Sequence, residues 1–151
     1  MYTLSHSVEV NPAGASPVLT RDQVWRGLEM KAENALPFVK GMTKCDVLER
    51  TGNQILRDVI FAGTAHRERI TLHAPVQVHF ERVGEAGFID NTISESERGL
   101  LLTFTFALTM PGTAPNSAEE KAKGDGMKHA YVGAVQATLD RVRQLVRDGA
   151  L

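Results

Sequence analysis

Along the first ten positions apolar and polar residues alternate. Tyr2, Leu4, His6, Val8 and Val10 fall on one face, and Thr3, Ser5, Ser7 and Glu9 on the other. A period of two is the pattern of a half-buried strand, and Asn11-Pro12 ends it. After a loop rich in Pro, Ala, Gly and Ser, Thr20 and Gln23 stand at capping-box spacing, with Leu19 and Val24 at the staple positions around that cap. The helix that follows carries Val24, Trp25 and Leu28 as its apolar stripe and fades near Asn34. Pro37 then permits only a short second helical turn before Gly41.

From Lys44 to Met110 the period returns to two, and six strands are predicted at about 44–51, 54–62, 65–73, 76–83, 87–94 and 99–110. Short separators such as Gly52-Asn53, Gly63-Thr64 and Gly84-Glu85 suit hairpins and leave no room for crossover helices, so the sheet is antiparallel. Ser117 to Glu120 has a capping-box pattern, but Gly124 and Gly126 weaken a helix there, and a firm helix is expected only from about Asp125 to Asp148. Met127, Tyr131, Ala134, Val135, Thr138, Val142, Leu145 and Val146 form its apolar stripe. Gln136, Asp140, Arg141, Arg143, Gln144 and Arg147 form a solvated side.

This order predicts an α+β architecture for residues 1–151 as one domain: a curved, seven-stranded antiparallel sheet, two short helices after the first strand, and one long C-terminal helix. An apolar sheet face has to be covered, and the last helix is the element long enough to do it. Its Ala134, Ala137 and Thr138 are small, so the concave space beneath is expected to contain a cavity. The alternative is that Trp25, Phe80, Phe104 and Phe106 fill that space completely.

Charge narrows the partners. Seventeen basic against eighteen acidic residues give a net charge of −1, which supplies no field for nucleic acid or an anionic membrane. No apolar run approaches the roughly 18 residues of a membrane span. Met1 to His6 lacks a basic region followed by an apolar stretch, and Cys45 stands alone, so a cytoplasmic location is expected. Cys45 reads as a small half-buried hydrophobe. His66 and Glu68 share a strand face, but two ligands do not make a metal site, and no motif calls for a metal or a cofactor. No catalytic residue can be singled out from spacing, and homodimerisation stays open.

The element order resembles the helix-grip fold of the START and birch-pollen-allergen (SRPBCC) superfamily. Within it, Leu56 to Gly63 (LRDVIFAG), Arg67-Glu68-Arg69-Ile70, Asn91-Thr92-Ile93-Ser94 and Leu102 to Phe106 (LTFTF) are similar to a small family termed AtaL-like. The resemblance covers nearly the whole chain. It implies a cavity for a hydrophobic ligand and brings no agreed catalytic residues with it.

If Ala62-Gly63 is a two-residue hairpin loop, Arg57 stands directly across from Glu68 on a face otherwise made of Ile55, Val59, Phe61, Ile70 and Leu72. An ion pair on an apolar face is either a device that specifies the fold or a ligand anchor. Asn91 and Tyr131 add neutral hydrogen-bonding groups on the same interior. The candidate ligand-binding set is therefore Arg57, Glu68, Phe80, Asn91, Phe104, Phe106 and Tyr131. It suits a non-catalytic binding or carrier protein for a small hydrophobic molecule, lipid-like or polyketide-like. An enzyme resembling polyketide cyclases and dehydratases, with Glu68 as proton acceptor, is the first alternative. A packed structural or interaction module is the second.

Overall fold

Alternation in the sequence becomes one sheet in space. A computed structural model describes residues 1–151. The elements run β1 (Tyr2–Glu9), α1 (Arg21–Glu33), β2 (Met42–Thr51), β3 (Gln54–Phe61), β4 (Thr64–His73), β5 (Gln77–Arg82), β6 (Gly87–Ser96), β7 (Gly99–Leu108) and α2 (Ala118–Arg147). The seven strands lie in the order β1-β7-β6-β5-β4-β3-β2, every pair antiparallel. β2 to β7 thus form a meander, as their short connections dictate, and the segment carrying α1 links β1, which pairs with β7, to β2 at the opposite edge. Two register shifts in the β2–β3 ladder, between Met42 and Lys44 and between Val47 and Glu49, bend that end of the sheet.

The faces sort as the pattern dictates. Ile55, Val59, Ile70, Val78, Ile93, Leu102 and Phe104 are buried on the inner face. On the outer face Ser5 meets Thr105 at 3.0 Å, Ser7 meets Thr103 at 2.6 Å, and Arg67 grips Asp58 through two bonds of 2.8 and 3.1 Å. The β3–β4 hairpin turns on Ala62 and Gly63, with φ of 48° and 80°, the pair of positive values that a two-residue loop needs. That turn sets Arg57 opposite Glu68 and Asp58 opposite Arg67.

Three expectations need correction. Only one regular helix precedes β2, because after Asn34 the chain makes a single turn in which Phe38 and Val39 both donate to the Ala35 carbonyl. One turn leaves too few carbonyls for a second helix to propagate.

The last helix begins at Ala118, seven residues before the expected start, and runs through both glycines for 30 residues. Ser117 caps it by accepting from the Glu120 amide. Gly124 is present for clearance: a Cβ there would come within 2.1 Å of the Tyr2 ring.

Arg143 is buried rather than solvated. It reaches back to the end of β1, donating to the Val10 carbonyl and, at 3.2 Å, to Asn11 Oδ1. Its long stem packs while its donors satisfy a chain end that no strand covers.

Around this end the core is close-packed. Gly27 of α1 sits against Val142 of α2 so tightly that a Cβ would lie 2.4 Å from Val142 Cγ2. Leu19, Val24, Leu28, Val135, Leu139 and Val142 are all at or below 2% exposure. Farther along α2, toward its N-terminal half, the small residues leave the space under the sheet open.

Candidate functional site

The space under the sheet is a cavity of about 500 Å³, walled by the inner faces of β3 to β7, the end of α1 and the middle of α2. Its exposed lining residues, Lys40 from the α1–β2 connection and His129, Ala130, Gly133 and Ala137 from α2, mark its mouth. All seven residues singled out in the sequence lie on its wall: Arg57, Glu68, Phe80, Asn91, Phe104, Phe106 and Tyr131. The Phe106 and Tyr131 rings stack with centroids 4.6 Å apart, and Phe104 meets Phe106 edge-on at 6.3 Å. The aromatic side chains therefore pack along the wall and leave the volume open. Trp25, the fourth residue expected to fill the space, is buried but is not part of the lining.

Arg57 is 2% exposed and Glu68 is 5% exposed. Arg57 Nε and Nη2 both contact Glu68 Oε1 at 2.9 Å, while Nη1 donates to the carbonyls of Lys31 at 2.9 Å and Ala32 at 2.8 Å. Those carbonyls belong to the last turn of α1, which has no intrahelical donors left for them. The guanidinium thus cements the end of α1 to the sheet, and Glu68 balances its charge. Phe80 lies against the same guanidinium, 5.5 Å from ring centroid to Cζ.

Lys31 was not among the residues read from the sequence. Its stem passes between the sheet and α1, and its Nζ donates to Asn91 Oδ1 at 2.7 Å. The Phe104 ring centroid is 4.3 Å from Nζ and that of Phe80 is 5.5 Å away. Lys31 is 7% exposed and its ammonium has no carboxylate partner, because Glu68 is engaged by Arg57. Burial, reinforced by the nearby Arg57 charge and only partly offset by Glu68, brings the amine down from 10.5 to about 7. The signal was present in the sequence. Val24, Leu28 and Lys31 are spaced four and three apart, so Lys31 continues the buried stripe of α1.

Arg82 was missed in the same way. It continues the inward alternation of Val78 and Phe80 on β5, lines the cavity, and has a buried Nε with no hydrogen-bond partner. Asn91 is wholly buried, and its Nδ2 is likewise unpartnered. The Tyr131 phenol is pushed up by burial, against the opposing pull of Arg82. The polar inventory is accordingly rich in donors: three basic groups besides the paired Arg57, namely Lys31, Arg82 and, at the mouth, Lys40, and one free amide N–H pair. Such a wall favours a ligand that carries oxygen acceptors on an apolar body.

Cys45 is half-buried and accepts a 3.4 Å contact from the Ala35 amide. His66 bonds Glu85 at 2.8 Å, away from the cavity lining. No helix of the chain is long and apolar enough to cross a membrane.

Comparison with known proteins places this geometry among relatives. The profile of the family described as AtaL, acetylaranotin biosynthesis cluster protein L, matches residues 4–149. The protein of that description from Aspergillus terreus (strain NIH 2624 / FGSC A1156) is 25% identical over 154 residues, covering 99% of this chain and 93% of the fungal one. Among solved structures, the ZhuI aromatase/cyclase from Streptomyces sp. R1128 superposes with a TM-score of 0.70 at 16% identity, over 98% of this chain and 97% of the other. The di-domain aromatase/cyclase StfQ of the steffimycin biosynthetic pathway superposes at 0.66 and 13% identity, over 98% of this chain and 51% of that one. At these identities the structural likeness establishes the helix-grip fold.

Proposed function

Since the chain belongs to the AtaL family, whose profile spans both helices and all of the sheet but the first two residues of β1, we propose that it binds a small, largely apolar molecule of polyketide-like build inside its cavity. The observation that carries this reading is the cavity itself: about 500 Å³ of space lined mainly by apolar side chains, with a few convergent donors at Lys31, Arg82 and Asn91. Pockets of this size and composition suit a ligand whose body is buried by aromatic walls and whose orientation is fixed by a few polar contacts. The biosynthetic-cluster name of the Aspergillus relative and the aromatase/cyclase names of the structural neighbours support a secondary-metabolite ligand over a lipid.

A cyclase-type enzyme is the second reading, favoured by Lys31. An amine titrating at about 7 in an apolar site is poised to exchange protons at neutral pH, near the optimum for acid–base work. Glu68 has the weaker claim to that role, since two guanidinium nitrogens hold its Oε1 in place beneath α1.

Native mass spectrometry of protein purified from its own host tests the binding reading. A bound small molecule released on denaturation is the expected result. Apoprotein that also fails to bind any member of a panel of aromatic polyketides would overturn it.

A further inference from the structure

We propose that Lys31 captures carbonyl-bearing ligands covalently, as an imine formed inside the cavity. The inference rests on the reading that the cavity holds a small apolar ligand, and it narrows that ligand to a ketone or aldehyde on an apolar, aromatic body.

Three features of the geometry converge on it. The Lys31 amine lies at the inner wall of an open cavity, with a single protein hydrogen-bond acceptor, Asn91 Oδ1 at 2.7 Å. A structural lysine in such a place would be expected to carry a carboxylate partner, yet the only buried carboxylate nearby is engaged by Arg57. The same Asn91 amide offers a buried and unpartnered Nδ2 beside that amine. A single side chain thus holds the nucleophile through Oδ1 and carries, on the same amide, an N–H pair that no protein group takes up. Finally, the rings of Phe104 and Phe80 flank Nζ at 4.3 and 5.5 Å, the surroundings an aromatic ketone would enter. Desolvation and a neighbouring cation are the two devices by which lysines become nucleophilic at neutral pH, and both act here.

The chemistry needs no further reagent. The lone pair of the neutral amine attacks the carbonyl carbon and forms the C–N bond, while the carbonyl π pair moves to oxygen. That oxygen takes up a proton as the nitrogen loses one, giving a carbinolamine. Cleavage of the C–O bond and loss of the remaining N–H proton then release one water and leave the imine. Hydrolysis reverses every step, so capture is reversible.

The test uses 2-naphthaldehyde with sodium cyanoborohydride at neutral pH, followed by peptide mapping, with naphthalene as the carbonyl-free control in native mass spectrometry. At pH 7 an amine titrating near 7 is about half neutral, against less than about one part in a thousand for an ordinary lysine. Lys31 is therefore expected to be alkylated on the order of tenfold or more faster than Lys40, Lys44, Lys121, Lys123 or Lys128, and excess naphthalene should slow Lys31 while leaving Lys44, Lys121, Lys123 and Lys128, which lie outside the cavity, unchanged. K31R should lose the fast modification. Should that variant fail to fold, the naphthalene competition on wild-type protein decides by itself. Naphthalene binding with Lys31 unmodified, or modified no faster than the surface lysines, overturns the imine while leaving the cavity reading intact. Absence of both labelling and naphthalene binding overturns the two together.

Discussion

Lys31 shows how a single side chain can set the pH response of a fold. Its ammonium titrates near 10.5 in an unfolded chain and at about 7 when buried. Between those values the unfolded chain holds the proton and the folded chain does not, so stability rises with pH across that window. Below about 7 both states carry the charge, and the full desolvation cost opposes folding. At about 1.4 kcal/mol per pH unit the cost amounts to roughly 5 kcal/mol. Removing the amine also strands Asn91 Oδ1, a loss of about 1–3 kcal/mol. K31M is accordingly expected to be more stable than wild type by roughly 2–4 kcal/mol at about pH 6, with the advantage gone near pH 10. Urea denaturation of both proteins across that range checks the sign and the slope. A difference that did not change with pH would mean that Lys31 keeps its proton throughout.

At the scale of elements, the two glycines in the first turns of α2 separate helix propensity from packing. Each costs about 1 kcal/mol relative to alanine in a helix interior. Gly126 has nothing within 4 Å of where a Cβ would stand, whereas Gly124 faces the Tyr2 ring at 2.1 Å. Tyr2 is pinned to the same helix by its hydroxyl, which donates to Asp125 Oδ1 at 3.1 Å. G126A should therefore raise the stability by up to about 1 kcal/mol. G124A should lower it by about 1–3 kcal/mol, since overpacking outweighs the propensity gain. Thermal melts of the two variants should move in opposite directions, and a gain in both would show that Tyr2 yields freely. These glycines also explain why the sequence pattern alone predicts a later helix start. Local propensity argued against a helix, and the packing of β1 against α2 overrode it.

For the whole molecule, the decisive property is uneven packing: one end of α2 is locked against α1 through Gly27 and Val142, the other is packed on Tyr2 of β1, and the middle stands off the sheet over a cavity of about 500 Å³. Filling that space should separate binding from stability. A134F introduces a ring from the α2 wall into existing volume, so the melting temperature should fall little, by no more than about 1 kcal/mol of stability. Displacement of a fluorescent naphthalene sulfonate should show its binding lost. Retained binding in A134F would place the ligand elsewhere. The strands, their antiparallel pairing and the Arg57–Glu68 register were legible in the sequence, because period-two alternation and a two-residue turn fix which residues face each other. The inward direction of Phe80, Asn91, Phe104, Phe106 and Tyr131 followed from the same periodicities. The roles of Lys31, Arg82 and Arg143 did not, because a charged residue on a helix stripe or strand face reads as solvated until its surroundings are known. Only the tertiary structure decided that the last turn of α1 lies over β3, where Arg57 satisfies its carbonyls and Lys31 is left in the cavity with Asn91 as its hydrogen-bond partner. Periodicity records which side of an element is turned inward, whereas desolvation and charge pairing depend on which other elements meet there.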